Sequence, residues 1–578
     1  MLSIYLNSRA QRAPLRVGVL LDDTWLPRCF AEVLGHIQRC NFARLELLVL
    51  NAEPNEHASA RRTWWQKSWH LLSAPRARAS LLFGLYQRYD RRNEGAADPN
   101  VLVDCAAQLA QVERLRVVPL RQRFVHRFPA EALEQIRARN LDVLLRFGFN
   151  ILRGDVLRAA RYGVWSYHHG DDAEYRGGPA CFWELYEGNP LTGTMLQVLT
   201  EKLDAGLVLQ KGLFATTPGI SRALNSLQPY WGSVTFVIQK LHELHERGWE
   251  QLERRALPPS AYRGRKKLYT VPSNWEMIKW LAPAMWRKAA SRLLRRPALE
   301  HWQLALRGGR DLLSEAAAAA RASGWRLLDS PPGRFYADPF LFERDGTTWL
   351  FFEDCDYASN RGRISCAELR DGKLGEVRCA LERPYHLSYP CIFRAGGEIF
   401  MIPESVANGT VELYRCTRFP DQWQLAKESL RERAVDTTVW IDQDLCWFFV
   451  TLQEARGGAT QLWLFYARHV LDPWHPHPGN PISTDVRNSR GAGAIFRHDG
   501  RLYRPSQDCS RHYGYSFTLN EILVCNPEQY LERPCVTVPP DWAPALVGTH
   551  TYSRAAQVEV IDGCQRLPVG RVLRRPRA

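Results

Sequence analysis

Residues 162–210 read YGVWSYHHGDDAEYRGGPACFWELYEGNPLTGTMLQVLTEKLDAGLVLQ, and the spacing inside this stretch decides the reading of the first half of the chain. Three features mark it. An apolar segment ends in Ser166-Tyr167-His168-His169 and runs on into Tyr175-Arg176-Gly177; a Thr192-Gly193 turn follows; then comes Leu203-Asp204-Ala205-Gly206. A lone histidine after an apolar strand is ordinarily a packing or surface residue. Here an imidazole, able to handle protons because its unperturbed pKa lies near about 6.5, shares the stretch with a carboxylate of the kind that orients it.

Upstream, Leu15 to Leu21 (LRVGVLL), Leu45 to Leu50 and Leu141 to Phe149 (LDVLLRFGF) are short apolar runs, and an amphipathic stretch lies between Pro27 and Cys40. Strands separated by helices predict parallel βαβ units, which take ligands at the carboxyl ends of their strands. No GxGxxG opens a helix after a strand and no GxxxxGK[ST] is present, so dinucleotide and P-loop sites have no support. Residues from about 53 to 100, with Trp64-Trp65 and many arginines, read as a helical insertion.

The quoted block resembles the folate-dependent formyltransferases, which act on glycinamide ribonucleotide, methionyl-tRNA and nucleotide sugars. The likeness is carried by His168, Tyr175-Arg176-Gly177, Thr192-Gly193 and Asp204-Ala205-Gly206. It implies a Rossmann-like α/β domain over residues 1–257, 10-formyltetrahydrofolate as cofactor, and formyl transfer to an amine. It further implies His168 as acid/base and oxyanion donor, Asp204 as the proton relay orienting it, and folate against the Phe147-Gly148-Phe149 loop. His169 and Arg176 would shape the acceptor pocket. The family's asparagine falls on Ser166, a shorter donor with a rotating hydroxyl. Losing a placed oxyanion donor typically costs about 100- to 1,000-fold in rate, so an altered catalytic geometry and a fold without formyl transfer both stay open.

The second half has another rhythm. FYADPFLFERDGTTWLFFED from Phe335, HLSYPCIFRAGGEIFMIPES from His386, DTTVWIDQDLCWFFVTLQ from Asp436 and RGAGAIFRHDGRLYRPSQD from Arg490 each give a strand, a tight turn and a second strand. Asp338, Tyr389, Thr437 and Ala492 align at steps of 51, 48 and 55 residues, and a fifth unit runs from Gly548-Thr549-His550 to a closing Asp562-Gly563. Such a repeat predicts an all-β five-bladed propeller over residues 326–578. This half resembles arabinanase- and xylosidase-type propellers. It is closer still to the N-terminal region of plant glucosamine inositol phosphorylceramide transferases, through Phe335-Tyr336-Ala337-Asp338-Pro339, Ile402-Pro403-Glu404-Ser405 and Gly548-Thr549-His550-Thr551. Hydrolases of that kind use paired carboxylates. Asp338 sits in their first position, but Thr437 takes the third, with Asp436 one residue off and expected on the opposite face. Glu353, Glu404 and Asp508 lie on second strands. The expectation is a propeller that recognises glycan through Asp338, Glu404, Asp436, Asp508 and His550.

At 578 residues the chain exceeds what one core of about 250–300 residues organises. Between the halves, residues 258–325 read as a basic helical linker with Trp275, Trp280 and Trp286, suited either to packing between domains or to peripheral membrane contact. No apolar run reaches about 18 residues. The 14 cysteines show no CxxC pair, which predicts reduced thiols and a cytoplasmic protein, peripheral at the inner membrane face if the linker binds lipid. His242-Glu243-Leu244-His245 is not HExxH; it is expected on a solvated helix face, and no metal is expected. The net charge of +15 favours anionic partners. The linker and propeller occupy the position of the tRNA-binding barrel of methionyl-tRNA formyltransferases, so nucleic acid is not the expected partner. Amino sugars on nucleotide or lipid carriers are. The competing readings are a non-catalytic scaffold, a propeller that cleaves or transfers glycans, and a tRNA formyltransferase.

Overall fold

The computed structural model describes residues 5–53, 79–93, 95, 97–294, 298–309, 311–314, 322–370, 372–442, 444–456, 458–555 and 558–572. The chain divides into two compact units, Leu2–Leu293 and Leu294–Ala578. The division falls inside the expected 258–325 linker, which is therefore not an element of its own. Tyr269 and Met277 are buried in the first unit with Tyr175, Phe182 and Trp183, while Ala298–Gly308 is a strand of the second. Of the expected insertion, Leu81–Asp90 is helical and Trp64-Trp65 lie outside the described residues.

The first unit is built on a seven-stranded sheet of β1 (Leu15–Leu21), β2 (Ala43–Asn51), β3 (Glu113–Val117), β4 (Val143–Arg146), β5 (Val164–His168), β6 (Leu191–Val198) and β7 (Leu207–Ala215), in the order β7-β6-β5-β4-β1-β2-β3. Pairing is parallel from β3 through β5 and antiparallel across β6 and β7. Past Arg16, β1 carries an apolar run because helices cover both faces of a parallel sheet; Val17, Val19, Leu20 and Leu21 are fully buried. The amphipathic stretch is the helix Arg28–Arg39, burying Cys29, Val33, Leu34 and Ile37. The His242–His245 run departs from its expected solvated face. On the helix Phe236–Arg247, Glu243, Leu244 and His245 are buried, and Ser8 Oγ lies 2.7 Å from His245 Nδ1. The residues before β1 wrap over this helix and exclude water from it.

Among the described residues, the second unit holds five antiparallel sheets of four or five strands. Its hairpins turn at Asp345-Gly346, Gly396-Gly397 and Asp499-Gly500, with φ positive at both residues of each pair, the backbone whose twist matches that of the flanking strands. The innermost strands are β9 (Arg334–Arg344), β10 (Ser388–Ala395), β11 (Ala434–Ile441), β12 (Arg490–Gly491) and β13 (Tyr552–Ala555). Hydrogen bonds link each to the next: Tyr389 N donates to Asp338 Oδ2 (3.2 Å), Tyr389 and Thr438 hydroxyls meet at 2.8 Å, Arg490 Nε donates to Asp436 Oδ2 (2.5 Å), Tyr552 N donates to Ala492 O (2.7 Å) and Leu341 N donates to Ser553 Oγ (2.9 Å). The inner strands thus close a propeller-like ring.

The ring is fastened by chain-distant strands: β8 (Ala298–Gly308) pairs along its whole length with β14 (Val558–Pro568). Asp562-Gly563, expected to close the fifth unit, lies within β14. Across the clasp, the buried Arg307 donates to Glu559 Oε2 through Nε at 3.0 Å, and Glu559 Oε1 accepts from Leu312 N (3.1 Å) and Tyr552 OH (2.6 Å). Removing one member of a buried pair leaves an uncompensated charge and costs about 3–5 kcal/mol. Glu559→Ala is therefore expected to destabilise the second unit by about that amount, read as a lower urea midpoint at unchanged slope.

Candidate functional site

Two places gather the predicted residues. In the first unit, Asp22, Asn51, Arg146 and His168 stand at or just past the carboxyl ends of adjacent strands β1, β2, β4 and β5. His168 Nδ1 lies 3.4 Å from Asp204 Oδ1, so the structure brings the expected pair together. His168 Nε2 donates to Tyr175 O at 2.8 Å, and Asp204 Oδ2 accepts from Gly177 N at 3.1 Å. Ser166 does not join them. It is buried, its hydroxyl accepting from Arg146 Nη1 at 3.0 Å. Burial holds the Arg146 guanidinium below its ordinary pKa, opposed by Asp204 and Asp22. Arg146 was missed in the sequence because a strand-end arginine reads as a surface charge.

The remaining predicted positions here are largely committed within the protein. Gly148 packs against the Leu21-Asp22 backbone so closely that a Cβ would lie 2.3 Å from Asp22 N. Phe149 takes φ 60 and donates its N–H to Asp22 Oδ1 at 2.9 Å, while its ring joins the core. Phe147 stacks on Phe30 with centroids 4.4 Å apart. His169 stacks on Tyr230 at 3.6 Å, and burial pushes its pKa down to about 3, so it is neutral. Arg176 lies over the Tyr262 ring and donates to Asp172 O and Ser260 O rather than facing His168. Asp171 and Asp172 are both held by Lys211. As folded, the Ser166 hydroxyl, His168 Nε2 and the N–H groups of the 147–149 loop all donate within the protein.

The second place is the ring axis. Asp338, Tyr389 and Asp436 occupy the same position in β9, β10 and β11, with φ of 50, 45 and 48. Each lies in a bulge that shifts the register, between Ala337 and Phe340, Ser388 and Cys391, and Val435 and Thr438. Asp436, not Thr437, is therefore the counterpart of Asp338. The expected opposite-face orientation fails because a bulge resets the alternation of a strand. Asp436 Oδ2 accepts from Arg490 Nε and from Gln507 Nε2 (3.2 Å), and Arg490 Nη2 lies 3.7 Å from Glu404 Oε2. Burial, followed by the neighbouring Asp436 charge, holds the Glu404 carboxyl well above the usual range.

Asp338 faces His550 (Nε2–Oδ1 3.5 Å) and accepts from Thr551 Oγ1 at 2.8 Å. Burial raises its pKa to about 7 despite the His550 charge. His550 is pressed between Asp338 and Asp562, with Nδ1 2.6 Å from Asp562 Oδ2, and stacks on Trp302 at 4.0 Å. Burial disfavours its charged form, but Asp562 and Asp338 overrule it and push the pKa up to about 9. Ligand atoms of Asp338, His550 and Asp562 lie within 4.8 Å of one another. Glu353 lies 3.3 Å from His386 Nε2, whose other nitrogen accepts from Gly362 N. Asp508 stays outside the array and closes a turn by accepting from Ser510 N at 2.9 Å. Arg490, Gln507 and Asp562 were not foreseen. The available signal was a basic residue opening the fourth repeat, where the first and third carry Asp338 and Asp436.

Residues 326–557 match the family model described as glucosamine inositolphosphorylceramide transferase 1, N-terminal. Glucosamine inositolphosphorylceramide transferase 1 of Arabidopsis thaliana is 37% identical over 207 residues, 35% of this chain and 27% of that protein. The chain thus spans about a quarter of the length of that relative. Among solved structures, glycinamide ribonucleotide transformylase 1 from Symbiobacterium toebii is similar at 13% identity and TM-score 0.27, covering 40% of this chain and 88% of that one. RS223-β-xylosidase is similar at 12% identity and TM-score 0.32, covering 41% and 96%.

The raised pKa of His550 fixes a sign. A group bound more tightly to its proton when folded adds stability that is complete below its unfolded pKa of about 6.5. That stability is lost as pH rises through about 9. The urea-midpoint gap between wild type and His550→Gln is expected to be widest on the acid side of this window and to close on the alkaline side.

Proposed function

We propose that the protein is a carbohydrate-active enzyme whose ring axis binds the saccharide headgroup of a lipid-linked glycan and makes or breaks a glycosidic bond there. The observation that carries the reading is the axial array. Glu404, whose carboxyl burial holds well above the usual range, stands beside Asp436, which is gripped by Arg490 and Gln507. Environments that separate the protonation of neighbouring carboxyls assign an acid and a base. Glu404 donates the proton to the departing glycosidic oxygen and Asp436 faces the developing oxocarbenium centre; a water or acceptor hydroxyl then bonds to that carbon and gives its proton to the Glu404 carboxylate so formed. Asp338 and His550 fix the hydroxyls of the bound sugar. The likeness to the inositolphosphorylceramide transferases supports a glycolipid substrate, because residues 326–557 include Asp338, Glu404, Asp436, Arg490 and His550.

A second reading, formyl or related acyl transfer to an amine, is favoured by the His168–Asp204 contact at the carboxyl edge of the parallel sheet. It requires the Tyr175 carbonyl to release His168, and it would add a one-carbon unit to an amino sugar. If so, the two units act on one glycan.

Full-length protein incubated with hexosamine-bearing inositolphosphorylceramide and nucleotide sugars is expected to change the headgroup mass by one sugar. Glu404→Gln and Asp436→Asn are each expected to slow this by about 100- to 10,000-fold, the usual worth of a placed acid or base. Unchanged rates in both would remove the axis from the chemistry. For the second reading, calorimetry with a stable 10-formyl-folate analogue should give binding that weakens in Asp204→Asn. No heat in the wild type rules that reading out.

A further inference from the structure

The helix Asn274–Leu294 is apolar on two opposite faces. One face belongs to the first unit: Met277 is fully buried, and Trp280 and Leu281 pack against the cluster of Phe83, Tyr86, Phe182 and Trp183. That packing accounts for the helix docking at all. The other face carries Trp275, Ile278, Met285 and Trp286, exposed by 63%, 47%, 62% and 77%, with Ala282 between them. At 3.6 residues per turn these five positions project within an arc of about 100°, centred away from Met277. A solvated helix ordinarily presents polar residues outward, and two tryptophans and a methionine gathered on one stripe mark an interaction surface.

The charge around the stripe selects the occupant. The helix sequence holds Lys279, Arg287, Lys288 and Arg292 against the single acid Glu276. Glu276 is turned back on the protein, accepting from Ser273 N and paired with Lys266. Lys279 lies over the Trp275 ring, its Nζ 5.1 Å from the centroid, at the border of the stripe. Indole rings that enter the boundary between headgroups and acyl chains, with lysine and arginine reaching phosphate beside them, are the composition of a helix lying in an interface. No helix among the described residues is long and apolar enough to cross a bilayer.

We infer that this outward stripe seats the protein on an anionic membrane surface, with Trp275, Met285 and Trp286 entering the interface and Lys279, at its border, engaging lipid phosphates. The assignment stands on the helix alone and does not depend on the chemistry at the ring axis. It would nonetheless bring the protein to the surface that holds a lipid-linked saccharide.

Full-length protein is floated with vesicles of phosphatidylcholine, or of equal parts phosphatidylcholine and phosphatidylserine, none containing glycolipid. Wild type is expected to float with the anionic vesicles and far less with the neutral ones, the preference fading with salt. The double variant Trp275→Ser, Trp286→Ser is expected to bind about tenfold more weakly or worse. Lys279→Ser is expected to weaken the preference for anionic lipid. All three side chains are exposed, so unfolding midpoints should stay at the wild-type value and show that the variants fold. Asp436→Asn should float like wild type, which separates failure of the axial chemistry from failure of membrane seating. Wild type that does not float, or tryptophan variants that float unchanged, overturn the inference. So does a wild-type dimer in sedimentation velocity that the tryptophan variants abolish, since the stripe would then belong to a second copy.

Discussion

The second unit depends on a backbone conformation that side chains resist. Asp338, Tyr389 and Asp436 each sit at positive φ in the middle of an inner strand, an arrangement worth about 1–3 kcal/mol of strain apiece for a residue with a Cβ. It persists because each is held by its neighbours: Asp338 by Tyr389 N and Thr551, Tyr389 by Thr438 and Gly493 N, Asp436 by Arg490 and Gln507. The same bonds join adjacent sheets. The strained residue is thus both the joint between sheets and the group turned toward the axis, and altering one role alters the other.

Burying this many carboxylates is costly unless cations accompany them. Arg490 and His550 supply the compensation from the fourth and fifth sheets, so charge balance on the axis exists only when the ring is complete. Burial raises Glu404 and Asp338, and the neighbouring carboxylates raise them further. The unequal environments of these carboxyls therefore follow from their burial and from how the sheets share their counter-charges.

Much of the architecture was legible in the sequence because it is written in local patterns. β1, β2 and β4 follow from apolar runs, the helix Arg28–Arg39 from its period, and the hairpins from Asp-Gly and Gly-Gly pairs. The His168–Asp204 pairing was legible through spacing. What was hidden depends on contacts between distant segments. A bulge moves Asp436 to the face that simple alternation denies it. Ser8 covers a histidine that its own helix period leaves to solvent. Asp562, read only as closing the fifth unit, stands in mid-strand because its partner strand begins at Ala298. The meaning of Ser166 was also hidden, since only the fold shows that Arg146 claims its hydroxyl.

The clasp between β8 and β14 joins the first strand of the second unit to its last. During synthesis the chain emerges from its amino end, and domains generally fold as they become available. The first unit can complete its sheet early, because β1 to β7 all precede residue 216. The second cannot: Ala298–Gly308 must wait, unpaired on one edge, while four sheets are made, and pairing finally spans nearly the whole unit. Contacts so distant in sequence form slowly. The ring is consequently the late and vulnerable event in this protein's biogenesis, and shielding that waiting edge falls to whatever the nascent chain meets first.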